Sequence, residues 1–258
     1  ILSLARPAGA CRLAQTLGRT VERWHLEETY ALVKALFGSQ QESLARDSTR
    51  SVLDRQWFAS YHYSEALRLT RDFDRRYLSG SLLIELHGQD GERKRAAFER
   101  YIRKAGAHAT AAVQSMHAIP DILAHAVFFA TAQNLRPNAP EPRKVAVPTV
   151  VSSLRRDQQF KSLAPLLAAT QSGNLWRHLS ALANLSKHRT VIRAALSEDW
   201  TGQRENHREL QFRACEYNDT RFSQVSLQAL LEPEHHRLSI AVLSIGHELN
   251  ACLRSNAA

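Results

Sequence analysis

The chain has 258 residues, 44% hydrophobic and 23% charged, a balance that supports a full core and excludes disorder along its whole length. Its net charge is +9, from 28 Arg and 6 Lys against 25 acids, which favours anionic partners such as nucleic acid, although the arginines are interleaved with Glu and Asp as on a solvated helix surface. The longest apolar run, Ile122 to Ala130, is interrupted by His125 and is too short to span a bilayer. Cys11, Cys215 and Cys252 form neither a disulfide framework nor a zinc motif, so a cytoplasmic protein without membrane contact is expected.

In chain order, residues 10–37 read as a first amphipathic helix, with Leu13, Leu17, Val21, Trp24, Tyr30 and Val33 at mixed three- and four-residue steps. Arg6, Arg12 and Arg19, with no acid before Glu22, resemble a transit segment in composition. The helical pattern nevertheless runs on unbroken through Val21 and Trp24. Gly38-Ser39 ends this helix, and a long helical stretch follows over about 41–87, with Gly80 and Gly88 as breaks. Residues 91–118 form an Ala-rich helix opened by the basic cluster Arg93-Lys94-Arg95. Pro120 then either bends one long helix or opens a new one that reaches about 134.

Arg136 to Pro148 holds four prolines and is the clearest loop. Helix resumes over about 149–171 with Pro165 as a break. Gly173-Asn174 then serves as a stop and N-cap for a helix over 175–188. After Gly202 the period becomes two. Leu210, Phe212 and Ala214, then Phe222, Val225 and Leu227, flank an Asn218-Asp219-Thr220 turn, which predicts a β-hairpin at about 208–230. Pro233 opens a last helix over about 234–254. The expected fold is mainly α: a single helical domain over 1–258, a bundle with one small β-hairpin near the C-terminus.

Two polar constellations stand out. His117, Asp121 and His125 are spaced i, i+4, i+8, so a helix sets them on one face, where a carboxylate can orient an imidazole. The second is Asn184-Leu185-Ser186-Lys187-His188-Arg189. Arg177, Asn184 and His188 share one stripe, opposite the apolar Leu175, Leu179 and Leu182. That run is either a basic helix end favoured by the dipole or a cationic patch with a histidine acid or base. Glu22-x-x-His25 and Glu232-x-x-His235 have di-iron spacing, but bridging carboxylates on two further helices are not identified. Phosphate loops, dinucleotide-binding glycines and nucleophile elbows are absent, so neither a cofactor nor a metal is expected.

Ser115-Met116-His117-Ala118-Ile119-Pro120-Asp121, a later Asn184-x-x-Lys187-His188-Arg189, a hairpin and a final helix together resemble a group of bacterial helical proteins. More loosely, residues 91–200 resemble the HEPN superfamily, helical bundles many of which are metal-independent ribonucleases. That resemblance implies RNA cleavage with His117 as general acid or base and Asp121 as its orienter. Asn184, Lys187 and His188 would hold an anion, with Arg189 and Arg177 in the same basic patch. The superfamily's arginine-to-histidine spacing occurs at Arg19–His25, Arg55–His62 and Arg103–His108, no more often than composition supplies. The rival expectation is a non-enzymatic module that pairs with itself or another protein; a third is nucleic-acid binding through the basic helix at 91–104.

Overall fold

The computed structural model describes residues 23–88, 91–204 and 206–257. The first half of the first expected helix, the transit reading, Cys11, Arg19 and Glu22 lie outside the described residues.

Helix α1, Leu26–Phe37, buries Thr29, Tyr30 and Val33. Gly38, at φ +89°, takes a left-handed backbone that only glycine adopts without strain, and it turns the chain directly into α2, Ser39–Tyr77. The stretch expected over about 41–87 breaks at 78–81, around Gly80 as expected, where Leu78 is extended, and restarts as the short α3, Leu82–His87, which Gly88 caps. The break is held by carboxylates. Glu85 accepts the backbone N–H groups of Ser79 and Gly80 at 3.1 Å, and Glu198, from far along the chain, accepts that of Leu82 at 3.0 Å.

Helix α4, Gly91–Ala130, runs straight through Pro120. Of the two alternatives at that proline, one continuous helix is what forms, and it ends at 130, where Ala132 takes a left-handed backbone, rather than at 134. Helices α2 and α4 form a long antiparallel pair: Gln41 meets Phe129, His62 meets His108, and Thr70 meets Tyr101. The seam is built for close approach. Ala45, Val52, Ala59, Ala66 and Phe73 recur every seven residues on α2 and face Ala97, Ala105, Ala109 and Ala112 of α4, all of them buried. A seven-residue repeat keeps one stripe facing the partner over many turns, and alanine lets two backbones come near.

The proline-rich stretch is a loop with one 3-10 turn, Pro142–Lys144, preceded by another at Gln133–Leu135; its last proline, Pro148, lies in the first turn of the next helix. Helix α5, Val147–Arg155, and α6, Leu163–Ala169, are separated at 156–162. The expected break at Pro165 is therefore misplaced. That proline sits in the first turn of α6, where the missing N–H has no helical partner to lose. Helix α7, Asn174–His188, follows Gly173, which occupies the N-cap position assigned to Asn174 in the sequence reading.

The expected hairpin exists but is interrupted and has an extra neighbour. Strand β1, Ala194–Glu198, pairs antiparallel with β2, Arg208–Phe212, and β2 pairs with β5, Val225–Ser226. Between them β3, Cys215–Tyr217, and β4, Thr220–Phe222, close over Asn218 and Asp219, both at positive φ as a tight primed turn requires. Strand β1 was invisible because Ala-Ala-Leu-Ser-Glu neither alternates nor carries β-branched residues; all five are half-buried. Helix α8, Leu227–Ala257, begins one turn and a half before Pro233, so the proline is inside the helix rather than its opener, and Leu227 is helical rather than extended.

The fold is thus mainly α, with a small antiparallel sheet near the C-terminus. One continuous hydrophobic cluster joins α1, α2, α4 to α8 and the inner face of β2. Among the described residues no helix is long and apolar enough to cross a membrane.

Candidate functional site

The two polar constellations meet, though through different atoms from those the spacing suggests. Helix α7 lies on α4 through Trp176, Ser180, Ala183 and Lys187, a stripe at steps of four, three and four. The ring of His117 stacks on Trp176 with centroids 5.3 Å apart and planes 6° from parallel. Its Nε2 is 3.3 Å from Ser180 Oγ and its Nδ1 is 3.4 Å from Lys187 Nζ. An ammonium can only donate, so Nδ1 accepts and the ring carries its proton on Nε2, which donates to Ser180. Asn184 Nδ2 donates to the same hydroxyl at 3.3 Å, and Gln114 Nε2 donates to Ser186 Oγ at 3.1 Å.

Burial pushes the His117 pKa down to about 4, and the Lys187 charge adds to that; Asp121 opposes both. The imidazole is therefore neutral at neutral pH. Its carboxylate neighbour does not orient it. Asp121 Oδ1 accepts the Val147 N–H at 3.2 Å, at the start of α5, and Gln171 Nε2 at 3.3 Å. His125 Nδ1 donates to the backbone carbonyl of Asp121 at 2.9 Å, and its ring lies near Phe129. Pro120 leaves the i, i+4, i+8 face intact, and each of its members answers to a different neighbour.

The other expected residues are spread along α7. At 100° per residue, Arg177, Asn184 and His188 lie roughly 90° round the helix from the stripe that meets His117. Asn184 reaches the site edgewise through Ser180. His188 is exposed at the helix end. Arg189 caps the helix, with its guanidinium carbon 5.3 Å above the Tyr217 ring. Arg177, three turns away, is exposed and donates to Asn174 Oδ1 at 2.5 Å. Glu232 and His235 turn to α2: Tyr63 Oη donates to Glu232 at 2.6 Å, and His235 Nε2 is 3.1 Å from Ser60 Oγ. Among the described residues no group of three or more His, Cys, Asp or Glu is placed to hold a metal.

Just beyond Lys187 the chain builds a cleft that sequence reasoning missed. It has a volume of about 420 Å³, within the range of small-ligand sites. Leu182, Leu185 and Ile192 floor it. Thr190, Val191, Arg193, Arg213, Ala214, Cys215 and Glu216 form its walls. The sheet brings the two arginines together: the Arg213 N–H donates to the Arg193 carbonyl at 3.2 Å. Both line the cleft, and Lys187, His188 and Arg189, also exposed, lie at the end of α7 that leads into this cationic corner. Among the described residues no carboxylate lies within ion-pair distance of Lys187, Arg189, Arg193 or Arg213, whereas Arg204, Arg208 and Arg237 nearby are paired. The acid in the wall, Glu216, sits opposite Arg221 across β3 and β4. Burial raises the Cys215 thiol above its ordinary range, so it is a neutral wall atom rather than a thiolate. The corner escaped notice because Arg193 and Arg213 are twenty residues apart and meet only through β1, the strand whose sequence carries no strand signal.

No protein-family model, curated protein or solved structure matches the chain.

Proposed function

We propose that this chain binds a phosphate-bearing anion at the corner where α7 ends, and that single-stranded RNA is the polymer it takes there. The observation that carries this reading is the pair Arg193 and Arg213, without carboxylate partners in the wall of an apolar-floored cleft, with Lys187 and Arg189 at the helix end that leads into it. Cations left unpaired at a surface keep their full attraction for phosphates, and arginine forks match phosphate oxygens two at a time. An apolar floor beside them gives an unstacked base a place to lie. His117 supports binding rather than proton transfer. An imidazole with a pKa near 4, stacked on Trp176 and tied to Ser180 and Lys187, is a weak base at neutral pH; it holds the Lys187 ammonium in place.

The test is fluorescence anisotropy of a labelled single-stranded RNA over a salt series. Four phosphate contacts give a log–log salt slope of about −3, and each lost cation lowers its magnitude by about 0.7. Arg193→Glu and Arg213→Glu are expected to weaken binding and flatten the slope. Arg143→Glu, the same charge change on the distant proline-rich loop, is expected to leave both nearly unchanged. Equal weakening by all three variants would reduce the interaction to bulk charge, and absence of binding in the parent protein would remove the reading.

A further inference from the structure

On the face of the α2–α4 pair away from α7, His62 and His108 bring their Nδ1 atoms to 3.0 Å, with ring planes 43° apart. They come from different long helices whose alanine seam fixes their spacing, so the convergence is a property of the scaffold and not of two mobile side chains. As a purely protein contact it needs one ring as the Nδ1–H tautomer, donating to the bare Nδ1 of the other. With metal–nitrogen bonds of about 2.0–2.1 Å, the same separation subtends roughly 95° at an ion shared by the two nitrogens. That is close to the cis angle of a tetragonal or octahedral ion. A few tenths of an ångström of opening reaches the tetrahedral angle.

We infer that His62 and His108 form a two-imidazole site for a divalent late transition ion, Ni²⁺, Cu²⁺ or Zn²⁺. Glu65, one turn after His62, is engaged elsewhere: Arg68 donates to both of its carboxylate oxygens, from Nε at 3.1 Å and from Nη2 at 2.8 Å. The ion would use both rings as Nε2–H tautomers. The Nδ1 proton of the present donor ring moves to its own Nε2 through solvent, which leaves both Nδ1 lone pairs for the ion. The site stands apart from the cationic corner and does not depend on RNA binding. The Tyr61 ring centroid lies 5.2 Å from that of His62 and 6.4 Å from that of His108, and Trp57, more than half exposed, stacks on Tyr61 with centroids 5.3 Å apart. An ion bound here therefore has an indole within reach as a reporter.

The experiment is calorimetric titration of the untagged full chain with Ni²⁺ at neutral pH, alongside Trp fluorescence with Cu²⁺. The expected result is one ion per chain, with affinity at least about tenfold weaker in both His62→Ala and His108→Ala, because each removes half of a preformed chelate. His236→Ala, an exposed single histidine elsewhere, is expected to change nothing. In the parent protein, histidine ¹⁵N spectra with Zn²⁺ are expected to shift Nδ1 of two rings, a reading that holds even where a variant folds poorly. No binding event, an event indifferent to both alanine variants, or Zn²⁺ shifts confined to Nε2 atoms would overturn the site.

Discussion

His117 shows how far a single residue departs from its reading along the chain. Its spacing with Asp121 suggested an acid–base pair, and the face they share on α4 is real. The partners of each were fixed by segments that no local pattern announces: the start of α5 takes Asp121, and α7 supplies Trp176, Ser180 and Lys187 to His117. The α7 side of that contact was legible in principle, because Trp176, Ser180, Ala183 and Lys187 fall on one helical stripe. The more conspicuous polar run, Asn184 to Arg189, drew attention to the neighbouring stripe instead. The buried imidazole also has a thermodynamic consequence. Its folded pKa of about 4 lies below the ordinary 6.5, so between these values the unfolded chain binds a proton that the folded chain refuses. Stability from this group is full above about pH 6.5, falls as the pH drops toward 4, and changes no further below. In urea melts from pH 7.5 to 4, His117→Gln, which keeps a hydrogen-bonding side chain without a titration, is expected to show a shallower loss than the parent. Parallel pH profiles would mean that His117 is not the neutral, enclosed group described.

At the scale of elements, proline was the recurrent source of misreading. Pro120, Pro165 and Pro233 were each weighed as boundaries, and all three lie within helices. A proline removes one N–H and crowds the carbonyl four residues back, a cost that packing on both sides outweighs here. Ile119 and Leu123 beside Pro120, and Leu230 and Leu231 before Pro233, are buried to within about one per cent. The turn into α8 also places Glu234 and Arg237 where α6 ends. The Arg237 guanidinium donates to the carbonyls of Ala169 at 2.9 Å and Thr170 at 2.8 Å, closing the open end of α6, and holds the fully buried Glu234 carboxylate at 2.6 Å. Removing the arginine alone strands a buried charge and takes a donor from two helix-end carbonyls, of which Ala169 keeps Ser172 Oγ at 2.8 Å. Arg237→Ala is expected to cost on the order of 3 kcal/mol in guanidinium unfolding. The double variant Glu234→Leu/Arg237→Met is expected to recover much of this, because a removed pair leaves no orphan charge. Equal loss in both variants would locate the effect in the helix-end carbonyls rather than in Glu234.

Across the whole molecule, the helical class and the C-terminal hairpin were legible because seven-residue and two-residue periods are local. The way the two ends of the described chain close on each other was not. Trp24, just ahead of α1, donates from Nε1 to Thr29 Oγ1 at 2.8 Å; Thr29 donates to Asn250 Oδ1 at 2.6 Å; and Asn250 Nδ2 donates back to the His25 carbonyl at 3.1 Å. This buried polar chain fastens α1 to α8 across more than two hundred residues, and it works only because α8 offers Gly246 beneath the indole. A Cβ at 246 would lie 2.1 Å from Trp24 Cδ2 and 2.3 Å from Cγ, overlapping a rigid ring that is itself 8% exposed. Gly106, in the middle of α4, is the internal comparison, since a Cβ there would meet Ala194 Cβ at an ordinary 3.8 Å. Alanine favours a helix over glycine by about 1 kcal/mol, so propensity alone predicts that both Gly→Ala changes stabilise. Packing separates them. Gly106→Ala is expected to gain up to about 1 kcal/mol, whereas Gly246→Ala is expected to lose about 1–3 kcal/mol as the indole is displaced. Red-shifted Trp emission and faster amide exchange across α1 should accompany the second variant and not the first. A stabilised Gly246→Ala would show that Trp24 does not sit against α8.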